Sequence, residues 1–325
     1  MDGNAEEVYR VAQLYYVHDE TMESIAKRLG VSRSTVSRLL KQARASGIVR
    51  ITLAQEASAS RALVDAFSEV FGVRAHVVAM RESIGDFRRL DAVARFSANL
   101  LDDLVSEGTT IGVAWGTTLS AVTTHLRFRP TPGVRLVQLN GAANPSTSGI
   151  PYAGEIMSRM AESYGGELTY FPVPAFFDYP ATREAMWRER SIERVLDLQR
   201  QCDLAVFGVG SLRGTMTSHV YTGGYLDRED MEALARSGVV GDVCTVMLRE
   251  DGTWADIEVN QRASGPNPEE LARIPRRLCI VAGEAKVAAT LGALRAGTIT
   301  DLVIDEPTAL RVMDQGGRRR REWQA

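Results

Sequence analysis

The sequence predicts a two-domain protein: a short all-α segment at the N-terminus, then a larger α/β domain with a mainly parallel sheet. Three observations carry this. At 325 residues the chain is long for one hydrophobic core. Helical periodicity occupies the first fifty residues, and beyond residue 73 short apolar runs alternate with helical patterns, as they do in α/β domains.

In chain order, Val8, Val11, Ala12 and Tyr15 fall at i, i+3, i+4 and i+7 and predict a first helix. Asp19 or Thr21 can cap a second, carrying Met22, Ile25, Ala26 and Leu29 and ended by Gly30. Ser32 can cap a third, SRSTVSRLLKQARASG, closed by Gly47, with Val36, Leu39, Leu40 and Ala43 as its apolar stripe. Val49–Leu53 alternates like a strand and suits a small wing. Ser58–Phe71 reads as a connecting helix with Leu63, Ala66, Phe67 and Val70 on one side. Strands follow at HVVAM, TIGVA, VRLVQL, ELTYF, DLAVFGVG, VCTVMLRE, LCIVAG and DLVID. Between them lie helical patterns over 86–105, after Thr117, near Pro151–Tyr164 and through KVAATLGALRAG. The end, Gly316–Arg321, reads as a solvated, loosely held tail. The predicted boundaries are 1–54, a connecting helix over 55–72, an effector domain over 73–315 and a basic tail over 316–325.

Charge separates the two parts. The net charge is −3, yet Ser24 to Gln55 holds no Asp or Glu and seven Lys or Arg, leaving −10 on the rest. A compact basic patch on an acidic chain is the footprint of nucleic-acid binding. Ala26 at a helix crossing, Gly30 in the turn, and Val31, Val36 and Leu39 facing inward form a helix-turn-helix pattern. Such a motif sets the start of its second helix against base edges in the major groove. Lys27, Arg28, Ser32, Arg33, Ser34, Thr35, Ser37, Arg38, Lys41 and Arg44 are therefore the candidate DNA contacts.

In parallel sheets ligands sit beyond the carboxyl ends of the strands. The loop Gly112–Thr118 comes first: its glycines allow close backbone approach, and amides at the following helix start favour negative charge. Gln138, Asn140 and Gly141 end one strand, and Gly208, Gly210 and Ser211 end another. Lys286 opens the helix after LCIVAG, while Asp256 and Glu258 follow an Asp-Gly turn and can accept from sugar hydroxyls.

Other classes lose support. No apolar run approaches the ~20 residues of a membrane helix, and the N-terminus lacks a secretory pattern, so a cytoplasmic protein is expected. Cys202, Cys244 and Cys279 have neither zinc-clamp nor redox spacing, and no metal or cofactor is expected.

Taken in order, ESIAKRLGVSRSTVSRLLKQA, IGVAWGTTL, VQLNGAAN, FGVGS, GDVC…EDG and AGEAKVAATLGALRAGTITDLVIDEPTA resemble the SorC/DeoR-type sugar-binding transcriptional regulators over nearly the whole chain. The resemblance implies a bacterial repressor or activator, usually a homotetramer, that binds double-stranded operator DNA under control of a sugar, polyol or sugar phosphate. It implies a Rossmann-like effector domain similar to sugar-phosphate isomerases. By motif, Gly116, Thr117 and Thr118 match the family's phosphate loop, Gln138 and Asn140 its sugar contacts, Asp256 its acidic hydroxyl-binder and Lys286 its phosphate lysine. Two departures point to a smaller anion cradle: Ala114 stands where many members have glycine, and AGEAK replaces a longer, glycine-richer loop. The alternative is a sugar-phosphate isomerase or deaminase with an accessory DNA-binding segment. Asp256, Glu258, Asp242 and His219 are its candidate acid/base groups, but no pair has the pattern of acid/base work, and no catalytic residue is assigned.

Overall fold

The computed structural model describes residues 3–49, 59–213 and 218–322. The chain divides into two compact units, Met1–Gln55 and Glu56–Ala325.

The first unit contains α1 (Gly3–Tyr16), α2 (Met22–Leu29) and α3 (Arg33–Ala45). Its core is Val8, Val11, Ala12 and Leu14 of α1, Ile25 and Ala26 of α2, and Val36, Leu39, Leu40 and Ala43 of α3. These positions recur every three to four residues, so each helix turns one stripe inward. Of the expected wing strand, residues 50–53 lie outside the described residues.

The second unit opens with α4 (Ala59–Phe71), β1 (Arg74–Val78), α5 (Asp86–Leu104), β2 (Thr110–Val113), α6 (Thr117–Thr123) and β3 (Arg135–Gln138). A π-helical turn at Ile150–Gly154 leads into α7 (Glu155–Tyr164) and β4 (Glu167–Thr169). Next come α8 (Pro180–Trp187), α9 (Arg190–Arg200), β5 (Leu204–Ser211), α10 (His219–Thr222) and α11 (Arg228–Arg236). The unit closes with β6 (Val239–Val243), β7 (Val246–Arg249), α12 (Pro268–Ala272), β8 (Arg276–Val281), α13 (Val287–Arg295), β9 (Asp301–Asp305) and α14 (Glu306–Glu322).

Seven parallel strands run in the order β1-β9-β8-β5-β2-β3-β4, and β6 and β7 extend the end of β5 as an antiparallel hairpin. The apolar runs of β2, β5, β8 and β9 are buried throughout or nearly so, as expected of strands covered on both faces. From β2 the chain moves outward to β3 and β4, then returns to β5 on the other side of β2. Loops leaving β2 and β5 therefore diverge and open a crevice at their carboxyl ends.

Two expectations change. VCTVMLRE is not one strand: Cys244 (φ 50°) and Thr245 (φ 71°) make the two-residue turn of the β6–β7 hairpin. Such turns are normally marked by Asn or Gly, so Cys-Thr gave no warning. Gly316–Arg321 is not a loose tail either, because α14 continues to Glu322. Gly316 is there for close packing: a Cβ would stand 2.8 Å from Cζ of Phe71 in α4. The connecting helix α4 accordingly packs on α14 and β1 and belongs to the second unit.

Candidate functional site

In the first unit, Thr21 caps α2, its Oγ1 accepting from the Ser24 amide at 3.2 Å, and Gly30 ends it in the left-handed conformation. Ser32 caps α3, accepting from the Thr35 amide at 3.1 Å, and its hydroxyl also hydrogen-bonds with those of Ser34 and Thr35. Ser32 and Thr35 thus shape the start of the helix. Lys27, Arg28, Arg33, Ser34, Ser37, Arg38, Lys41 and Arg44 are all exposed. Arg28 pairs with Glu20 at 2.5 Å, whereas Arg33, Arg38, Lys41 and Arg44 have no ion pair among the described residues. The face of α3 opposite its core stripe is cationic and available.

In the second unit a cavity occupies the crevice. The loop after β2 supplies Trp115, Gly116, Thr117 and Thr118, and Asn140 enters from the end of β3. Gly208 and Gly210 come from β5, Asp242, Cys244 and Thr245 from the hairpin, and Lys286 from the segment after β8. The first amides of α6 have no acceptor within their helix, which adds donors to this rim. Trp115 is fixed by its indole N–H, which donates to the Gly141 carbonyl at 2.9 Å, and stacks on Tyr225 at 5.1 Å between ring centres.

Three polar groups define the chemistry. Lys286 Nζ donates to Thr118 Oγ1 at 3.1 Å, and burial pulls its ammonium below the ordinary lysine value against the charges of Asp242 and Asp305. Asp242 is buried, which raises its carboxyl, while the Tyr221 hydroxyl at 2.8 Å and the Thr245 amide at 3.1 Å donate to it and partly counter the shift. Asn140 Oδ1 is buried with no hydrogen-bond partner among the described residues. A buried acceptor without a donor costs roughly 1–3 kcal/mol, so an incoming hydroxyl would repay that loss. Gly210 makes the arrangement possible, since a Cβ there would stand 1.8 Å from Asp242 Oδ1.

The structure therefore brings together Gly116, Thr117, Thr118, Asn140 and Lys286. Two expected contacts are placed elsewhere. Asp256 is exposed and bound to Arg249 through two hydrogen bonds of 2.7 and 2.9 Å, outside the cavity. An arginine seven residues away satisfies it, a pairing the Asp-Gly turn does not reveal. Gln138 is buried outside that cavity and engaged in scaffolding: its side-chain amide donates to the Asn140 carbonyl at 2.7 Å and accepts from the Phe171 amide at 3.2 Å. Asp242, weighed in the sequence only as an acid/base group, is the carboxyl in the cavity. Trp115 lies inside the expected loop Gly112–Thr118 but carried no signal of its own there. His219, another acid/base candidate, starts α10, with its ring 4.7 Å from Tyr152 and 6.4 Å from Trp115.

A helix-turn-helix unit followed by an α/β domain with a polar cavity at the strand ends defines a ligand-responsive transcriptional regulator. Comparison with known proteins agrees. Residues 55–314 match the family described as "Putative sugar-binding domain", and residues 10–46 match sigma-70, region 4. The deoxyribonucleoside regulator of Bacillus subtilis is 30% identical over 92% of this chain and 94% of its own. A solved domain of a possible sugar-binding transcriptional regulator from Arthrobacter aurescens superposes with a TM-score of 0.73 at 44% identity, covering 80% of this chain and 99% of that one. The full-length sorbitol operon regulator SorC from Klebsiella pneumoniae superposes with a TM-score of 0.76 at 26% identity, over 96% of this chain and all of that one. The chain belongs to the SorC/DeoR family of sugar-binding transcriptional regulators.

Among the described residues, no helix is long and apolar enough to cross a membrane, and no group of three or more His, Cys, Asp or Glu is placed to hold a metal ion.

Proposed function

We propose that this regulator binds operator DNA through α3 and that a sugar, polyol or sugar phosphate in the cavity between β2 and β5 sets its affinity for that DNA. The observation that carries this reading is the combination of the half-buried Lys286, the buried Asp242 and the orphaned Asn140 Oδ1 around one cavity. An effector bearing an anionic group and hydroxyls matches all three. Lys286, with Thr117, Thr118 and the first amides of α6, suits the anion. Asp242 and Asn140 Oδ1 suit hydroxyl donors. A neutral sugar or polyol uses the second set alone.

In this reading the protein is a sensor and not an enzyme. Tyr221 and Thr245 each donate to a different oxygen of Asp242, which fixes the carboxyl's orientation and leaves a lone pair on each oxygen to accept from a ligand hydroxyl. The active form is a homo-oligomer, dimer or tetramer, because reading paired half-sites needs fixed spacing between two recognition helices. The effector changes operator affinity only by the difference in its own affinity for the DNA-competent and DNA-incompetent states.

A thermal-shift screen of sugars, polyols and their phosphates on the full chain tests this, since a ligand of the native state stabilises by RT ln(1 + [L]/Kd). The expected result is one chemical family of hits whose stabilisation is lost in Thr118→Asp. Hits that persist unchanged in that variant overturn the site, and a hit turned over at enzymic rates overturns the sensor reading.

A further inference from the structure

A second cavity, of about 150 Å³, lies in the α/β unit beyond the end of β3. Its walls include Arg183 and Trp187 of α8, Arg200 at the end of α9, and Glu270 and Arg273 around α12. Three guanidinium groups and one carboxylate line it, with Arg200 paired to Asp197 and the charges of Glu270 and Glu184 acting on Arg183, so that Arg273 carries the cavity's uncommitted positive charge. Its carboxylate is already committed, because Glu270 accepts from the Asn267 amide at 2.9 Å in a helix capping box.

Arg183 is the unusual member. Its guanidinium carbon lies 5.1 Å from the Trp187 ring centre, a cation–π arrangement that fixes the group against an aromatic plane. Its one hydrogen bond to the protein among the described residues is a long 3.4 Å contact to the Gln261 carbonyl, and its Nε is buried with no partner. Arginine presents five donors in a fixed fork suited to planar or tetrahedral oxyanions. A stacked guanidinium with unmet donors at the wall of a cavity is set up for such an acceptor. Arg273 is exposed and has no ion pair among the described residues, while Arg200 is paired with Asp197 at its rim.

We propose that this cavity is a second ligand site, for a small oxyanion such as a phosphate, pyrophosphate or di- or tricarboxylate metabolite. Arg183 and Arg273 are its principal donors and Trp187 is its wall. Its volume admits a compact anion and leaves little room for a nucleotide or a peptide. Its position also gives it a route to the first cavity. Gly265, which lines the second, packs against the Cys244–Thr245 turn, which lines the first; a Cβ at Gly265 would stand 1.7 Å from the Cys244 carbonyl oxygen.

Isothermal titration of the full chain with sodium pyrophosphate and, in a separate arm, with citrate tests this, following tryptophan fluorescence in parallel. Saturable binding is expected for at least one anion, weakened roughly tenfold by Arg273→Ala and by Arg183→Gln, since each removes a charge-assisted hydrogen bond. Arg273→Ala guards against misfolding, because its side chain is exposed and makes no ion pair. Trp187→Phe should abolish the fluorescence response while saturable heat remains. Thr118→Asp, in the first cavity, should leave the titration unchanged. The proposal is overturned if neither anion binds up to tens of millimolar, if binding survives both arginine variants, or if Thr118→Asp removes it; that last result would assign the anion to the first cavity.

Discussion

The two units treat charge in opposite ways. In the helical unit Arg33, Arg38, Lys41 and Arg44 project into solvent, where each costs little to maintain and attracts a polyanion in a salt-dependent manner. In the α/β unit the important charges are wholly or partly withdrawn from water: the buried Asp242 in the wall of the first cavity, the half-buried Lys286 against Thr118, and the ion pair Arg89–Asp305 beneath the Lys286 segment. Buried charge is expensive unless its partners are in place, so it enforces geometry, and geometry is what tells one small effector from another. Exposed charge gives reach; buried charge gives discrimination.

The sharpest way to break this contrast is at Arg89–Asp305. The pair is fully buried at 2.5 Å, and Asp305 Oδ2 also accepts from the Gly283 amide at 2.8 Å, three residues before Lys286. Arg89→Met removes the buried cation paired with Asp305, leaving the carboxylate only the Gly283 and Thr308 donors, and should cost about 3–5 kcal/mol in urea unfolding. A loss under about 1 kcal/mol would mean that the pair does not hold this corner of the fold.

Next in size is Lys286→Gln, which should weaken a phosphorylated effector by roughly 1.5–3 kcal/mol and a neutral one by much less, as read by calorimetry. Equal losses for both would remove Lys286 from the anion subsite. On the exposed side, Arg38→Ala should lower operator affinity by about 1–3 kcal/mol and relax the preference at one base pair. Lys41→Ala should weaken binding to all sequences alike and reduce the salt slope by about 1. Identical behaviour of the two variants would erase that distinction. The smallest effect is expected at Arg28→Ala, which removes an exposed pair with Glu20 and should shift stability by ~1 kcal/mol at most.

The same contrast explains what the sequence made legible. Everything that defines the helical unit is local: Thr21 and Ser32 as caps, Gly30 as the stop, and a stripe every three to four residues. The parallel strands of the α/β unit are equally readable as apolar runs, whereas the β6–β7 hairpin is not. The site is harder, because the cavity joins residues from Trp115 to Lys286 and a carboxyl finds its place only through partners far along the chain. Asp256 and Asp242 look alike in sequence; Arg249 takes the first to the surface, and Tyr221, Thr245 and Gly210 hold the second inside. Gly316 misled for a related reason, being a packing glycine that looks like a helix breaker until Phe71 is placed beside it. Helix α8 buries none of its residues and so left no periodic signal.

The most direct test of the central claim is the affinity of the full chain for operator DNA, measured at fixed salt with and without the effector found by the stabilisation screen, in the native protein and in Thr118→Asp. The account predicts that the effector changes affinity for the native protein by at least fivefold, the lower end of ordinary allosteric coupling, and leaves the variant, which binds DNA normally, unmoved. An effector that stabilises the protein yet leaves operator affinity the same in both would contradict it.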